Sequence, residues 1–326
     1  MNIGIDIMGG DYAPEEAIKG VVSYLASNPD NAAEVHLVLI GNAGVAAPFL
    51  SSLDSWRSRY TLVPSVSVIG MHEHPTRALK EKQDSSIAIG FGLLQAGKID
   101  AFVSAGNTGA MLVGAMYTVK AIKGVLRPTI ASPIPKLDGR YNFLLDVGAN
   151  ADCKPEHLVQ FAVMGSLYAQ HVLGLANPRV ALLNIGEEEG KGNILAQATY
   201  PLLKQHTGIN FTGNVEGRDM FLDNADVMVC EGFTGNVALK MAESMYHILR
   251  ERRGIQDPFI DQFNYEIYGG TPILGINAPV LIGHGISGAL AFQSIIENAV
   301  KLVSSNLTGI LQKHFAEAAE IAEREA

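Results

Sequence analysis

Residues 104–109 read SAGNTG and residues 231–236 read EGFTGN. Each follows a short apolar run, IDAFV or ADVMVC, and each opens a helix-like stretch. A strand that gives way to a helix through glycines gathers backbone N–H groups at the helix start, where they can receive an anion. Asn107, Thr108, Thr234 and Asn236 would add side-chain donors. Four further loops share this grammar: MGGD (8–11), DVGAN (146–150), NIGEEEGKGN (184–193) and GNVEGRD (213–219). One such loop reads as an ordinary capped turn. Six, each after a candidate strand, read as a phosphate site, because in open parallel sheets ligands collect beyond the carboxyl ends of the strands.

Two charges or near-charges stand out beside these loops. Lys191, between glycines, can meet a phosphate as a compact cation, or sit at the surface beside Glu187, Glu188 and Glu189. His284, between Gly283 and Gly285 in IGHGISG, can reach the same edge or be a packed residue. His72 and His74 in MHEHP have a strand-like ligand spacing but read as a loop pair of histidines, so no metal is expected. Cys153 and His157 have the spacing of a thiol and its base, although Pro155 speaks against a helix through Cys153, and a structural cysteine is the expectation. Neither nucleotide fingerprint is expected, whether G-x-G-x-x-G after a strand or G-x-x-x-x-G-K-[ST], and GNAG at 41–44 is too short for a dinucleotide turn.

The elements that must position these residues are legible as short, nearly continuous apolar runs: NIGIDI, EVHLVLIG, VSVIG, IDAFVS, PTIASP, YNFLLDV, RVALLNI, INFTG, ADVMVC and APVLIG. Continuous rather than alternating runs are those of strands buried on both faces, and the helix-length segments between many of them imply βαβ crossovers. The expectation is a three-layer α/β/α protein with a mainly parallel sheet. Pro14 with Glu15 and Glu16 marks one helix start; Asp84-Ser85-Ser86 marks another, with Gly97 as its stop. Residues 249–270 break the alternation and read as a short insertion in a single domain spanning 1–326. The tail HFAEAAEIAEREA is helical in composition, with a solvated charged face.

Bulk composition narrows the function. The 326 residues are 48% apolar, enough for a sizeable core, and 24 basic against 33 acidic residues give a net charge of −9, which argues against nucleic-acid binding. An anion must therefore be met locally, by loops. Two cysteines without metal or disulfide spacing suit a reducing cytoplasm, and the N-terminus lacks a signal-peptide pattern.

Taken together, the stretches IDIMGGDYAPEE, DSSIAIGFGLLQAGKIDAFVSAGNTGA, GVLRP, FLLDVGANADCKPEHLVQFAVMGSLYA, LLNIGEEEGKGN, NFTGNVEGRD, DVMVCEGFTGNVALK and YGGTPILGI resemble the bacterial phosphate acyltransferase family. The resemblance implies transfer of a fatty acyl group from acyl-acyl carrier protein to inorganic phosphate. It also implies a fold similar to phosphotransacetylase and the isopropylmalate dehydrogenases, a homodimer, no redox cofactor, and a product passed to a glycerol-phosphate acyltransferase. Tyr12 and Ile286 depart from the family's usual His and Ser, so no role carries over to them. The docking segment for an acidic carrier is thin, with Arg77, Lys80 and Lys82 diluted by Glu81. The insertion is shorter than the family's hairpin and leaves Ile255, Pro258, Phe259 and Ile260 as a small wedge, enough for weak membrane-surface contact at most.

Under that resemblance, Gly106, Asn107, Thr108 and Gly109, with Gly232, Thr234, Gly235 and Asn236, would position phosphate. Lys191 and His284 would offset developing charge, and Asn150, Asn184 and Asn214 would complete a polar rim. Asp146, Glu216 and Glu231 would repel phosphate directly, so they are expected to orient Lys191, Arg218 or backbone amides. The alternatives are a phosphotransacetylase-type enzyme using acyl-CoA and a non-catalytic lipid-synthesis scaffold.

Overall fold

The computed structural model describes residues 1–28 and 34–325, with side chains through residue 317. In chain order the strands are β1 (Asn2–Asp6), β2 (His36–Gly41), β3 (Tyr60–Pro64), β4 (Ala101–Ser104), β5 (Thr129–Pro135) and β6 (Tyr141–Leu145). They continue as β7 (Arg179–Asn184), β8 (Asn210–Glu216), β9 (Val227–Val229), β10 (Gly270–Leu274) and β11 (Val280–Gly283). The chain forms two compact units, Met1–Ala121 with Tyr265–Thr308, and Ile122–Asn264 with Gly309–Ala326.

In the first unit the strand order is β3-β2-β1-β4-β11-β10, parallel throughout except for the β11–β10 pair. In the second it is β5-β6-β9-β7-β8, antiparallel only at β5–β6. Successive side chains of a strand point to opposite faces. Strands buried at every position, such as β4 and residues 3–6 of β1, therefore need cover on both faces, which is the α/β/α layering expected from their continuous apolar runs. Helix starts follow their sequence signals: Ser85 Oγ accepts the Ala88 N–H of the helix Ser86–Gln95, and Gly97 leaves it at φ +65°.

Two expectations change. VSVIG (66–70) is not a strand; the pairing falls on YTLVP, whose ladder with β2 ends at Pro64, and Val66 is left exposed. The β10 strand is the second surprise, because it pairs antiparallel with β11 and begins where the insertion was expected to end. Within 249–270, the wedge loses Phe259, which stacks edge-on against Phe263 at 5.0 Å and Phe221 at 6.4 Å, while Ile255 stays exposed. The tail forms the helix Leu307–Glu325, and the solvated face expected for it lies, from residue 318 on, outside the described side chains. No helix of the described residues is long and apolar enough to cross a membrane.

An ionic network ties the second unit together at the edge where β7 and β9 begin. Lys136, fully buried, donates to Asp223 (2.9 Å) and Asp226 (3.0 Å), and Arg179 donates to both of the same carboxylates. Burial pushes the Asp226 carboxyl up, but Arg179 and Lys136 outweigh it and hold its pKa at about 2. A carboxyl depressed in the folded state stabilises the fold above its unfolded pKa and loses that contribution as pH falls through the folded one. Acid titration followed by circular dichroism is therefore expected to show destabilisation between about pH 4 and 2. In Lys136→Met that acid component shrinks, while stability near pH 7 drops by about 3 kcal/mol because two carboxylates lose their buried cationic partner and keep only the more exposed arginines.

Candidate functional site

Because β6, β9, β7 and β8 run parallel, their carboxyl ends emerge at one edge of the second unit, with loops 146–150, 185–193, 217–219 and 230–231. Asp146 organises the first. Its Oδ1 accepts the N–H groups of Ile130 (3.0 Å) and Ala149 (3.2 Å), and its Oδ2 accepts the Asn150 N–H (2.7 Å) and carboxamide (2.8 Å). Burial pushes this carboxyl up, and the four donors oppose the rise. Asn150 also donates to the Pro128 carbonyl (2.8 Å), and its own carbonyl accepts the Gly232 N–H (2.7 Å). The loop is thereby locked to the start of the helix Gly232–Met245. A side chain at Gly235 would run into the Asp146 carbonyl oxygen, so glycine is required for this close approach.

That helix start is already capped by a carboxylate. Glu231 accepts the Thr234 N–H (2.8 Å) and the Thr234 hydroxyl. An incoming anion would have to share Thr234 with Glu231 or displace that carboxylate. Asn236 is exposed and packs beside Gly148. Opposite, Asn184 at the end of β7 donates to the Lys191 carbonyl (3.1 Å), and Asn214 on β8 donates to the Glu188 carbonyl (2.9 Å). Both therefore fold the loop 185–193 back over the strand ends, as struts rather than as free donors. The Lys191 ammonium is half-exposed and 4.0 Å from Glu188, a weak pair that leaves it able to meet an anion. Glu216 pairs instead with Arg218 at 3.0 Å.

Beneath these polar groups lies a cavity of about 400 Å³. Its more buried lining is Leu158, Leu182, Leu183, Leu195, Ala196 and Cys230, and the more exposed Asn184, Asn193, Glu231 and Thr234 mark its mouth. A neighbouring recess of about 600 Å³ shares Asn193, Leu195 and Glu231 with it and reaches Cys153 and Phe233. Composition gave no hint of this space. The only signal was the apolar pair Ile194-Leu195 straight after GKGN.

In the first unit, β1, β4 and β11 are parallel neighbours, so MGGD, SAGNTG and the loop after β11 meet at one edge. Asp11 N–H donates to the Gly285 carbonyl (2.7 Å), and buried Asp6 accepts from Ser104 (2.7 Å), whose oxygen accepts the Gly106 N–H (2.9 Å). Asn107 is spent internally: its Oδ1 accepts the Ala110 N–H (2.9 Å) and its amide donates to the carbonyls of Gly70, Met71 and Glu73. Thr108 is exposed and Gly109 packs against Pro75. His284 follows β11 in this unit and lies 4.7 Å from the Tyr265 ring, centroid to centroid; it and Lys191 belong to different units.

The stretch 283–288, GHGISG, does carry the spacing G-x-G-x-x-G after a strand and before the helix Ala289–Ser304. Its helix start is taken by a carboxylate, since Glu16 accepts the Ala289 N–H (2.9 Å) and Glu266 closes on Gly288. No strand follows that helix among the described residues, so the βαβ unit of a dinucleotide site is not formed.

Of the basic docking residues, Arg77 pairs with Glu81 (2.8 Å) and Lys82 with Glu73 (2.5 Å), which leaves Lys80 exposed on the helix Pro75–Glu81. His72 and His74 are exposed, and among the described residues no group of three or more His, Cys, Asp or Glu could hold a metal. Burial, then the charges of Asp146 and Glu231, push the Cys153 thiol up to about 11, and the His157 Nδ1 accepts the Lys154 N–H (3.1 Å). The thiolate is the nucleophile, so this cysteine is unsuited to the role. A Cys153→Ser protein is expected to keep its turnover within about twofold, measured as thioester cleavage.

A family model described as "Fatty acid synthesis protein" matches residues 1–252, a span that includes the loops 104–109, 184–193 and 231–236. The phosphate acyltransferase of Halothermothrix orenii is 41% identical over 332 residues, covering 96% of this chain and 98% of its own. That of Dictyoglomus thermophilum is 42% identical, covering 93% and 94%. Among solved structures, the EutD phosphotransacetylase from Staphylococcus aureus has a TM-score of 0.61 at 16% identity, covering 94% of both chains. A phosphotransacetylase from Streptococcus pyogenes has a TM-score of 0.63 at 15%, covering 93% and 94%. At such identities the structural likeness is one of fold alone. Identity above 40% along nearly the full length of both chains carries more: this chain belongs to the phosphate acyltransferase family.

Proposed function

We propose that the protein transfers a fatty acyl group from acyl-acyl carrier protein to inorganic phosphate, releasing acyl-phosphate and the carrier thiol. The observation that carries this reading is the meeting, at one strand edge of a phosphate acyltransferase family member, of an apolar cavity with Thr234, a capped helix start and the accessible Lys191 ammonium. A phosphate oxygen attacks the thioester carbonyl, the carbonyl oxygen takes the negative charge, and collapse expels the thiolate. Both reactants carry or develop negative charge, so positioning and electrostatic stabilisation account for the rate. Lys191 compensates that charge, with the Thr234 N–H and hydroxyl once Glu231 shares or releases them. Asp146, Asn150, Asn184 and Asn214 hold the loops in place. His284 and the loop 106–109 have their part tested separately, by His284→Ala and Thr108→Ala in the same assay.

The test is phosphate-dependent formation of acyl-phosphate from a defined acyl-carrier protein, trapped as the hydroxamate. Thioester cleavage that does not depend on phosphate would overturn the reading. A second reading, acyl-CoA as donor, is favoured by the neutralised docking segment, in which Arg77 and Lys82 are ion-paired. Comparing kcat/KM for the two donors with one chain length decides between them. In the first reading the protein works as a homodimer in the cytoplasm, at most weakly attached to membrane, and supplies a glycerol-phosphate acyltransferase.

A further inference from the structure

Resting on that reading, we infer that the cavity in the second unit holds the alkyl chain of the transferred acyl group, and that Leu158 and Ala196 set its length. The cavity is walled by Leu158 from the helix Pro155–His171, Leu182 and Leu183 from β7, and Leu195 and Ala196 from the helix Ile194–Gln205. Its volume of about 400 Å³ is in the range of small-molecule sites. The buried part of its lining, Leu158, Leu182, Ala196 and Cys230, is apolar but for one thiol, while Asn184, Asn193, Glu231 and Thr234 are partly or fully exposed, so a ligand with a long apolar body and one polar end fits, and a uniformly polar one does not. The polar end would lie at Thr234 and Glu231, where phosphate is proposed to be held.

The collar around this mouth has the same character. Ile185 is 80% exposed, Ile194 89% and Phe233 68%, and all three border one or other of the two adjoining recesses. Three large apolar side chains in water beside an apolar cavity gain cover when an alkyl chain passes between them. The transferred acyl group is the occupant that the chemistry of the reaction itself supplies.

The test is the chain-length profile of KM and kcat for acyl-carrier proteins loaded with C6 to C18 chains. In the wild type, KM is expected to fall about fourfold per added methylene until the cavity is full, the fold-change equivalent to the ~0.8 kcal/mol of burying one methylene. Ala196→Phe fills the cavity and shifts the break in the profile to shorter chains. Leu158→Ala enlarges it and shifts the break to longer chains. Opposite shifts from the two variants, each shown folded by its unfolding midpoint, support the inference. An unchanged profile in both overturns it, as does a KM shift that is uniform across chain lengths, which would place the pantetheine arm there instead. If Ala196→Phe does not fold, Leu158→Phe replaces it with the same expected direction. A wild type that cleaves no chain in a phosphate-dependent way refutes the proposed function; cleavage with an unmoved profile refutes only the pocket.

Discussion

Lys191→Ala is expected to lower kcat/KM for phosphate about 10²-fold while leaving the unfolding midpoint unchanged, the loss seen when one charge-stabilising group is removed from an acyl-transfer site. The ammonium is the accessible cation of the loop 185–193, and its contact with Glu188, at 4.0 Å between half-exposed side chains, contributes little to folding. Removing it is therefore expected to act on the reaction rather than on the fold. The loop keeps its shape without that ammonium, because Asn184 binds the backbone carbonyl of residue 191 and Asn214 binds that of Glu188. Lys191→Arg should recover part of the loss, since charge is retained but the compact ammonium geometry is not. Initial-rate kinetics with phosphate varied at saturating thioester give the measurement. Full activity in Lys191→Ala would remove this residue from the mechanism.

The second large effect is expected at Asp146. In Asp146→Asn, one carboxylate oxygen becomes an amide that points hydrogens at donors, at a position with no access to water. At least one of the bonds from Ile130, Ala149 and Asn150 is lost, and a buried donor without a partner costs about 1–3 kcal/mol. A loss of about 3 kcal/mol is expected, read as a fall in the urea midpoint with little change in slope. Activity should fall further than stability, because Asn150 carries the same loop to the Gly232 N–H and so to the helix that presents Thr234. An Asp146→Asn protein with wild-type stability would show that the four donors find other partners.

Much of the fold was legible before any coordinates. Continuous apolar runs between helix-length segments specify strands buried on both faces, and ten strand candidates included all but two of the strands found. The misses have a physical cause. YTLVP is an edge strand with no fully buried residue, so it lacks the continuous apolar run, and Thr-Pro-Ile-Leu of β10 pairs antiparallel with a strand that comes later in the chain, so it lacks the βαβ signature. The loops were also legible as loops, because glycine and asparagine after an apolar run have few other uses.

Sequence alone determined the family, the layered class and the set of strand-end loops, since these depend on residue types at fixed spacing. Only the tertiary structure decided which polar groups remain free. Asn107, Asn150, Asn184 and Asn214 read as donors for a ligand, yet each spends its amide on a backbone carbonyl brought from elsewhere in the chain or its own loop. Glu231 read as orienting a cation or backbone amides, and packing directs it to the Thr234 N–H and hydroxyl at a helix start. A side chain's partner is fixed by packing in three dimensions, where a buried amide must be satisfied by whatever carbonyl lies within reach. The apolar cavity is likewise a product of packing, made by leucines from one strand and two helices that no stretch of sequence holds together.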